Sequence, residues 1–165
     1  MAKVISAPAK ARASANNYER RLPILLRRAW FGLNQAFRRQ IADTGMTPGQ
    51  FTVLRTLTER GDLTQRELTE IMSSDANTIA SVLSRLEKLG WITRETHERD
   101  RRANRMHLTA IGKLKFETAR PVALALQKQI LSALPDRERE RFLKSLERVA
   151  AASQAALEAS ECATD

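Results

Sequence analysis

Residues 75–89 restrict the fold of this chain more than any other stretch. Ile79, Val82, Leu83, Leu86 and Leu89 recur at three- and four-residue spacing, which on a helix makes one apolar stripe. The opposite face presents Ser74, Asn77, Thr78, Ser81 and Arg85, short hydrogen-bonding groups with one guanidinium. A helix exposed only for solubility would carry Glu and Lys there. A helix that lies in a DNA groove needs compact polar groups able to reach base edges and phosphates. Ser74 or Asp75 supplies its N-terminal cap.

The flanking segments complete the unit. Thr64-Gln65-Arg66-Glu67 reads as a capping box that opens a short helix through Leu68 and Ile71, after an extended link at Asp62-Leu63. Thr47-Pro48-Gly49-Gln50 is a second capping box, with proline at the first helical position, leading a helix through Phe51, Leu54 and Leu57. Gly90 stops the polar-faced helix. Residues 91–96 then alternate as a strand and 105–108 as its partner, with an arginine-rich hairpin between them. Helix, turn, helix and a two-stranded β-wing make a winged helix-turn-helix lobe, predicted for residues 47–109.

Outside that lobe the chain reads as helix. Leu22, Leu26, Ala29, Leu33, Phe37 and Ile41 mark an amphipathic helix within residues 17–46, with Pro23 near its start and Gly45 at its end. Thr109 caps a helix that Pro121 is expected to kink or interrupt, and Pro135-Asp136 restarts the chain as a last helix carrying Phe142, Leu143, Leu146, Val149 and Leu157. Residues 1–16 read as a basic disordered tail and 159–165 as a flexible end. The apolar stripes of 17–46 and 110–158 exceed what so small a lobe can cover. They predict dimerisation helices, a symmetric homodimer, and two polar-faced helices about 34 Å apart on a pseudo-palindromic site. The fold class is therefore mainly α, with a small β-wing.

The chain has 165 residues, enough for one domain with extensions, and its formal charge of +9 favours polyanionic partners. No apolar run approaches the ~20 residues that span a bilayer, and residues 1–16 lack the apolar core of a secretion signal. With Cys162 as the single cysteine, no internal disulfide framework is possible, which fits a reducing, cytoplasmic setting. His97, His107 and Cys162 stand at no metal-ligand spacing. Neither a Gly-rich phosphate loop nor a nucleophile–base pair is present, so no cofactor is implied and an enzyme is rejected. The polar helix lacks exposed aromatics for stacking single-stranded bases, which argues against an RNA reader. The competing reading is an architectural protein that binds DNA through charge alone, without an effector.

The wing sequence Asp100-Arg101-Arg102-Ala103-Asn104-Arg105-Met106-His107-Leu108-Thr109 resembles the D-x-R…L-T pattern of the MarR family of bacterial transcriptional regulators. Leu63-Thr64-Gln65-Arg66-Glu67-Leu68, Leu83-Ser84-Arg85-Leu86-Glu87-Lys88-Leu89-Gly90-Trp91-Ile92 and Leu108-Thr109-Ala110-Ile111-Gly112 are similar to three further family segments. The likeness extends over residues 22–157. It implies a homodimeric repressor of double-stranded DNA that a small ligand or an oxidant releases. It also implies that Asp100 braces Arg102, which enters the minor groove, a role that suits one preorganised guanidinium on a hairpin tip.

Residues 94–105 hold five arginines against three acidic residues, so not every one can be a groove probe. Arg101 and Arg99 read as phosphate contacts or solvated charges. Asn77, Thr78 and Ser81 are the expected base readers, and Arg85 reaches a phosphate or a guanine. In relatives, aromatic acids bind between the dimer helices and the DNA-binding lobe. That expectation makes Trp30 and Phe51 candidate walls of an effector pocket and Arg27, Arg28 or His107 candidate counter-ions, although aromatics at helical spacing are commonly core. Cys162 reads as a bystander.

Overall fold

A computed structural model describes residues 9–97 and 100–162, with side chains described at 21–95 and 104–160. The elements in chain order are α1 (Ala9–Gln40), a 3₁₀ turn (Ala42–Thr44), α2 (Pro48–Arg60), β1 (Leu63–Thr64), α3 (Gln65–Ile71) and α4 (Ala76–Lys88). They continue with β2 (Ile92–His97), β3 (Asp100–Leu108), α5 (Ala110–Leu131) and α6 (Asp136–Cys162). The chain divides between Val122 and Ala123 into two compact units.

In the first unit, local chemistry sets the ends of the helices. Both capping boxes form: Thr47 with Gln50 opens α2, and Thr64 with Glu67 opens α3. Each places a hydroxyl on the N3 amide and returns the N3 side chain to the cap amide, which satisfies two otherwise orphaned donors. Asp75 caps α4, its carboxylate accepting the Thr78 N–H at 2.8 Å. At the far end Trp91 N–H donates to Leu86 C=O and Gly90 N–H to Glu87 C=O, both at 2.9 Å, while Gly90 adopts φ 69°. This paired 6→1 and 5→2 arrangement needs a left-handed residue, and glycine enters that region without a Cβ penalty.

The turn between α3 and α4 closes in the same way but without glycine. Ser74 N–H donates to Thr69 C=O and Ser73 N–H to Glu70 C=O, and Ser73 itself stands at φ 46°. A left-handed L-residue costs roughly 1–2 kcal/mol. Ser73→Gly is therefore expected to raise stability by about 0.5–1 kcal/mol, once glycine's larger unfolded-state entropy is subtracted. Urea unfolding checks this; an unchanged or lower midpoint would show that the turn is not strained.

Ile79, Leu83 and Leu86 of α4 are fully buried, together with Val53 and Leu54 of α2, Leu68 of α3 and Met106 of β3. Leu89, expected in the same stripe, is 49% exposed, because α4 ends at Lys88 and the chain turns away there. Phe51 lies in a buried aromatic group, 4.9 Å from Phe37 edge-on and 5.4 Å from Phe116 between ring centroids.

The sheet differs from the two strands expected. It has three in the order β1-β3-β2, all antiparallel, with Leu63 opposite Met106 and Thr64 opposite Arg105. The link read as merely extended is thus a short strand that seats the wing on the helices. β3 is also longer than predicted, beginning at Asp100 rather than at 105, while β2 keeps the predicted length one residue further along. His97 pairs with Asp100 and Thr96 with Asn104, so 101–103 form an irregular stretch of β3 opposite that junction. Such bulges bend a strand and re-aim its side chains.

The predicted tail is shorter. α1 begins at Ala9, because alternating alanines favour helix without any apolar stripe to announce it. Pro23 consequently stands in the helix interior rather than near its start. Pro121 likewise lies within an uninterrupted α5. Each proline removes one backbone donor from its helix.

In the second unit the turn between α5 and α6 is closed by Arg139, whose Nε donates to the Leu131 and Leu134 carbonyls at 2.9 and 3.1 Å. α6 continues through Cys162, past the predicted end at 158, on helix-forming Ala and Glu. Among the described residues no helix is long and apolar enough to cross a membrane.

Candidate nucleic-acid interface

The polar face of α4 is open. Asn77, Thr78, Ser81 and Arg85 are exposed and Ser74 is half-buried. Ser84, not among the residues expected at the site, is exposed as well; it lies seven residues beyond Asn77, two helical turns along the same face. Thr78 has a divided role. Its hydroxyl, then its N–H, hold the Asp75 carboxyl below the usual carboxylate range, so this side chain helps fasten the first turn. The Asn77 N–H adds a smaller contribution at Asp75, while the side chains of Asn77, Ser81 and Ser84 make no hydrogen bond among the described contacts. The helix therefore offers small donors and acceptors outward from a rigid, well-capped backbone.

Beside α4 runs a cleft of about 590 Å³, lined by Thr64, Gln65, Arg66, Thr69 and Glu70 of the α3 region, by Ala76, and by Arg94, Asn104 and Met106 of the wing strands. Gln65 Nε2 reaches the Ala76 carbonyl at 3.5 Å, and Arg66 pairs with Glu70 at 2.9 Å on the surface. Arg94 faces Glu87 of α4 at 3.8 Å, an ion pair between wing and polar-faced helix. Gln65, Arg66 and Arg94 were not among the predicted site residues. Their sequence contexts, a capping box and an alternating strand, point to structural roles, and only the tertiary fold brings them together.

The base of the wing is held from both sides. Arg105 Nη1 donates to the Asp62 carbonyl at 2.7 Å. His107 Nδ1 lies 2.9 Å from an Asp62 carboxylate oxygen, and its Nε2 lies 3.6 Å from one of Glu95. Glu67, whose carboxylate closes the α3 capping box through Thr64, is held below the usual carboxylate range by those bonds, with a smaller contribution from Arg105. The side chains of Asp100, Arg101 and Arg102 lie outside the described residues, as do Arg99 and the side chain of Cys162. Only the backbone of 100–102 is fixed, in β3.

The three effector candidates are placed differently from one another. Phe51 belongs to the buried aromatic group, whereas Trp30 is 66% exposed and Arg27 is also exposed on α1. Among the described residues no group of three or more His, Cys, Asp or Glu side chains could hold a metal ion.

Comparison with known proteins agrees with this geometry. The model of the MarR family matches residues 46–103, from the start of α2 to the wing. A Thauera aromatica protein given as a transcriptional regulatory protein for the hcr operon is 30% identical over 125 residues, covering 75% of each chain. Among solved structures, Bordetella bronchiseptica BpsR, studied for regulation of its DNA binding by 6-hydroxynicotinic acid, superposes with a TM-score of 0.72 at 26% identity, covering 78% of this chain and 91% of that one. An Escherichia coli MarR variant in complex with operator DNA gives a TM-score of 0.72 at 23% identity, covering 78% and 92%, a likeness of fold. With the capped polar helix, the wing and the family segments all in register, the chain belongs to the MarR family of transcriptional regulators.

Proposed function

We propose that this regulator is a homodimeric repressor that reads a pseudo-palindromic operator. Asn77, Thr78, Ser81 and Arg85 of α4 would lie in the major groove, with Ser74 on a flanking phosphate. Arg102, braced by Asp100, would enter the minor groove, and Arg101 would contact the backbone. The observation that carries this reading is the face of α4, which combines a buried apolar stripe with exposed, compact, hydrogen-bonding groups. Base edges are recognised through such groups, whereas phosphate attraction alone needs none of them. Release by a small acid is the regulatory half of the proposal. It draws on the likeness to BpsR, with Trp30 and Arg27, exposed on α1, as candidate contacts once a second protomer completes the surroundings, while Phe51 is buried in the core of the protomer.

The test is anisotropy titration of the DNA upstream of the protein's own coding region against a scrambled duplex. Asn77→Ala and Ser81→Ala are each expected to weaken operator binding by roughly 1–3 kcal/mol and to relax preference at one base position. Arg102→Ala should weaken it on A·T-rich flanks above all. Equal affinity for both duplexes, lost steeply with salt, would replace this reading with a non-specific architectural role.

A further inference from the structure

One charged cluster is left unused by the readout of bases. His107 stands on β3, the central strand, and its imidazole lies crosswise between Asp62, just before β1, and Glu95 on β2. We propose that His107 is a positioning residue for the wing, and that protonation of its ring tightens the seat of the wing and so the grip on DNA. This rests on the DNA-binding reading above.

The geometry uses both ring nitrogens toward carboxylates, Nδ1 at 2.9 Å from Asp62 and Nε2 at 3.6 Å from Glu95. An imidazolium donates from both nitrogens; a neutral ring donates from one and turns a lone pair toward the other carboxylate. Loss of the proton therefore removes the charge attraction to both carboxylates and turns a lone pair toward one of them. Arg105, on the same strand, is committed to the Asp62 carbonyl and lies opposite Glu95 in the register. Glu67 on α3 is engaged with Thr64 and senses Arg105. Thr93, opposite His107 on β2, is neutral.

The cluster has mechanical consequence because β1 is only two residues long. Two ladder positions hold the wing to the chain that leaves α2, and the Asp62 contacts from Arg105 and His107 extend that hold. The His107 side chain is 27% exposed, and histidine as a residue type changes charge in the range of about pH 5 to 8. If the tight, DNA-competent seat takes up the proton, affinity falls as pH rises through that range.

The experiment measures operator affinity from pH 5.8 to 8.2 at fixed ionic strength for wild type, His107→Gln, Glu95→Gln and Arg102→Ala. Alongside it, amide exchange of β1 and β3 is followed without DNA and corrected for intrinsic rates. Wild-type affinity is expected to fall about three- to fivefold more across the range than that of His107→Gln, the scale of a partly exposed ion pair. β1 protection should fall in parallel. Glu95→Gln, which spares the Asp62 contact and guards against misfolding of the first variant, should halve the pH effect. Arg102→Ala should remove it from affinity but leave it in the exchange data. A wild-type pH profile in His107→Gln, or β1 protection that does not change with pH, overturns the proposal. Absence of operator binding at every pH would fault the DNA-binding reading, and the exchange data would still decide whether the seat is proton-linked.

Discussion

Gly112→Ala is expected to cost about 3 kcal/mol and to lower the melting temperature by roughly 6–12 °C. A Cβ at this position would overlap the carbonyl oxygen of Trp91 and approach Leu108 Cδ1 to 2.9 Å. Side chains can move aside, but the carbonyl is pinned. Trp91 C=O accepts the Thr109 N–H at 3.1 Å, while Trp91 N–H ends α4 on Leu86. The Thr109 hydroxyl donates to the Gly90 carbonyl at 2.7 Å and accepts from Gly112 N–H at 3.1 Å. Shifting Trp91 thus disturbs the end of the polar-faced helix and the start of α5 together, and each lost hydrogen bond adds about 1 kcal/mol. Gly32→Ala is the control: it lies mid-α1 with nothing within 4 Å, and should gain up to about 1 kcal/mol from helix propensity. Circular dichroism melts compare the two. An alanine at 112 that melts with wild type would mean that the two backbones are not in contact.

What could be read from the sequence was what local chemistry decides. Capping boxes at Thr47 and Thr64, the stop at Gly90 and the cap at Thr109 involve residues within one helical turn, so their geometry follows from residue type and spacing. The exposed face of α4 followed from its period in the same way. What escaped depends on distant partners or on a missing signal. β1 is too short to alternate and is a strand only because Met106 and Arg105 lie opposite it. The first turns of α1 carry alanine instead of a stripe. Gln65, Arg66 and Arg94 share a cleft because three separated segments converge. His107 reads from the sequence only as a counter-ion for an acid, since nothing in its neighbours reveals Asp62 and Glu95 on either side. From the sequence Phe51 reads as pocket wall or core, and its ring contacts with Phe37 and Phe116 place it in the core of the protomer.

The second large effect is expected on α1. Leu22, Leu26, Trp30 and Leu33 fall within one side of this helix and are 47%, 38%, 66% and 40% exposed, and Ile24 and Phe31 at 60% and 58% lie on the other. A helix apolar on opposite sides is stable in water only when other chains cover it. α6 likewise leaves Phe142, Leu143, Leu146 and Leu157 uncovered, along one side. Leu26→Glu with Leu33→Glu should therefore leave the protomer folded, because neither side chain is buried within it, while placing unpaired carboxylates where a second copy would sit. The expected result is a sedimentation mass that drops from twice the 18.6 kDa chain to a single chain, with an unchanged circular dichroism spectrum. Operator affinity should drop about 10²- to 10⁴-fold, since the second half-site then binds without the first holding it near. The salt dependence should flatten at the same time, because one protomer neutralises half as many phosphates. A double variant that remains a dimer would place the contact between copies elsewhere. A monomer that keeps full affinity would show that one polar-faced helix with its wing recognises the operator alone, and the two-fold reading of the site would fall.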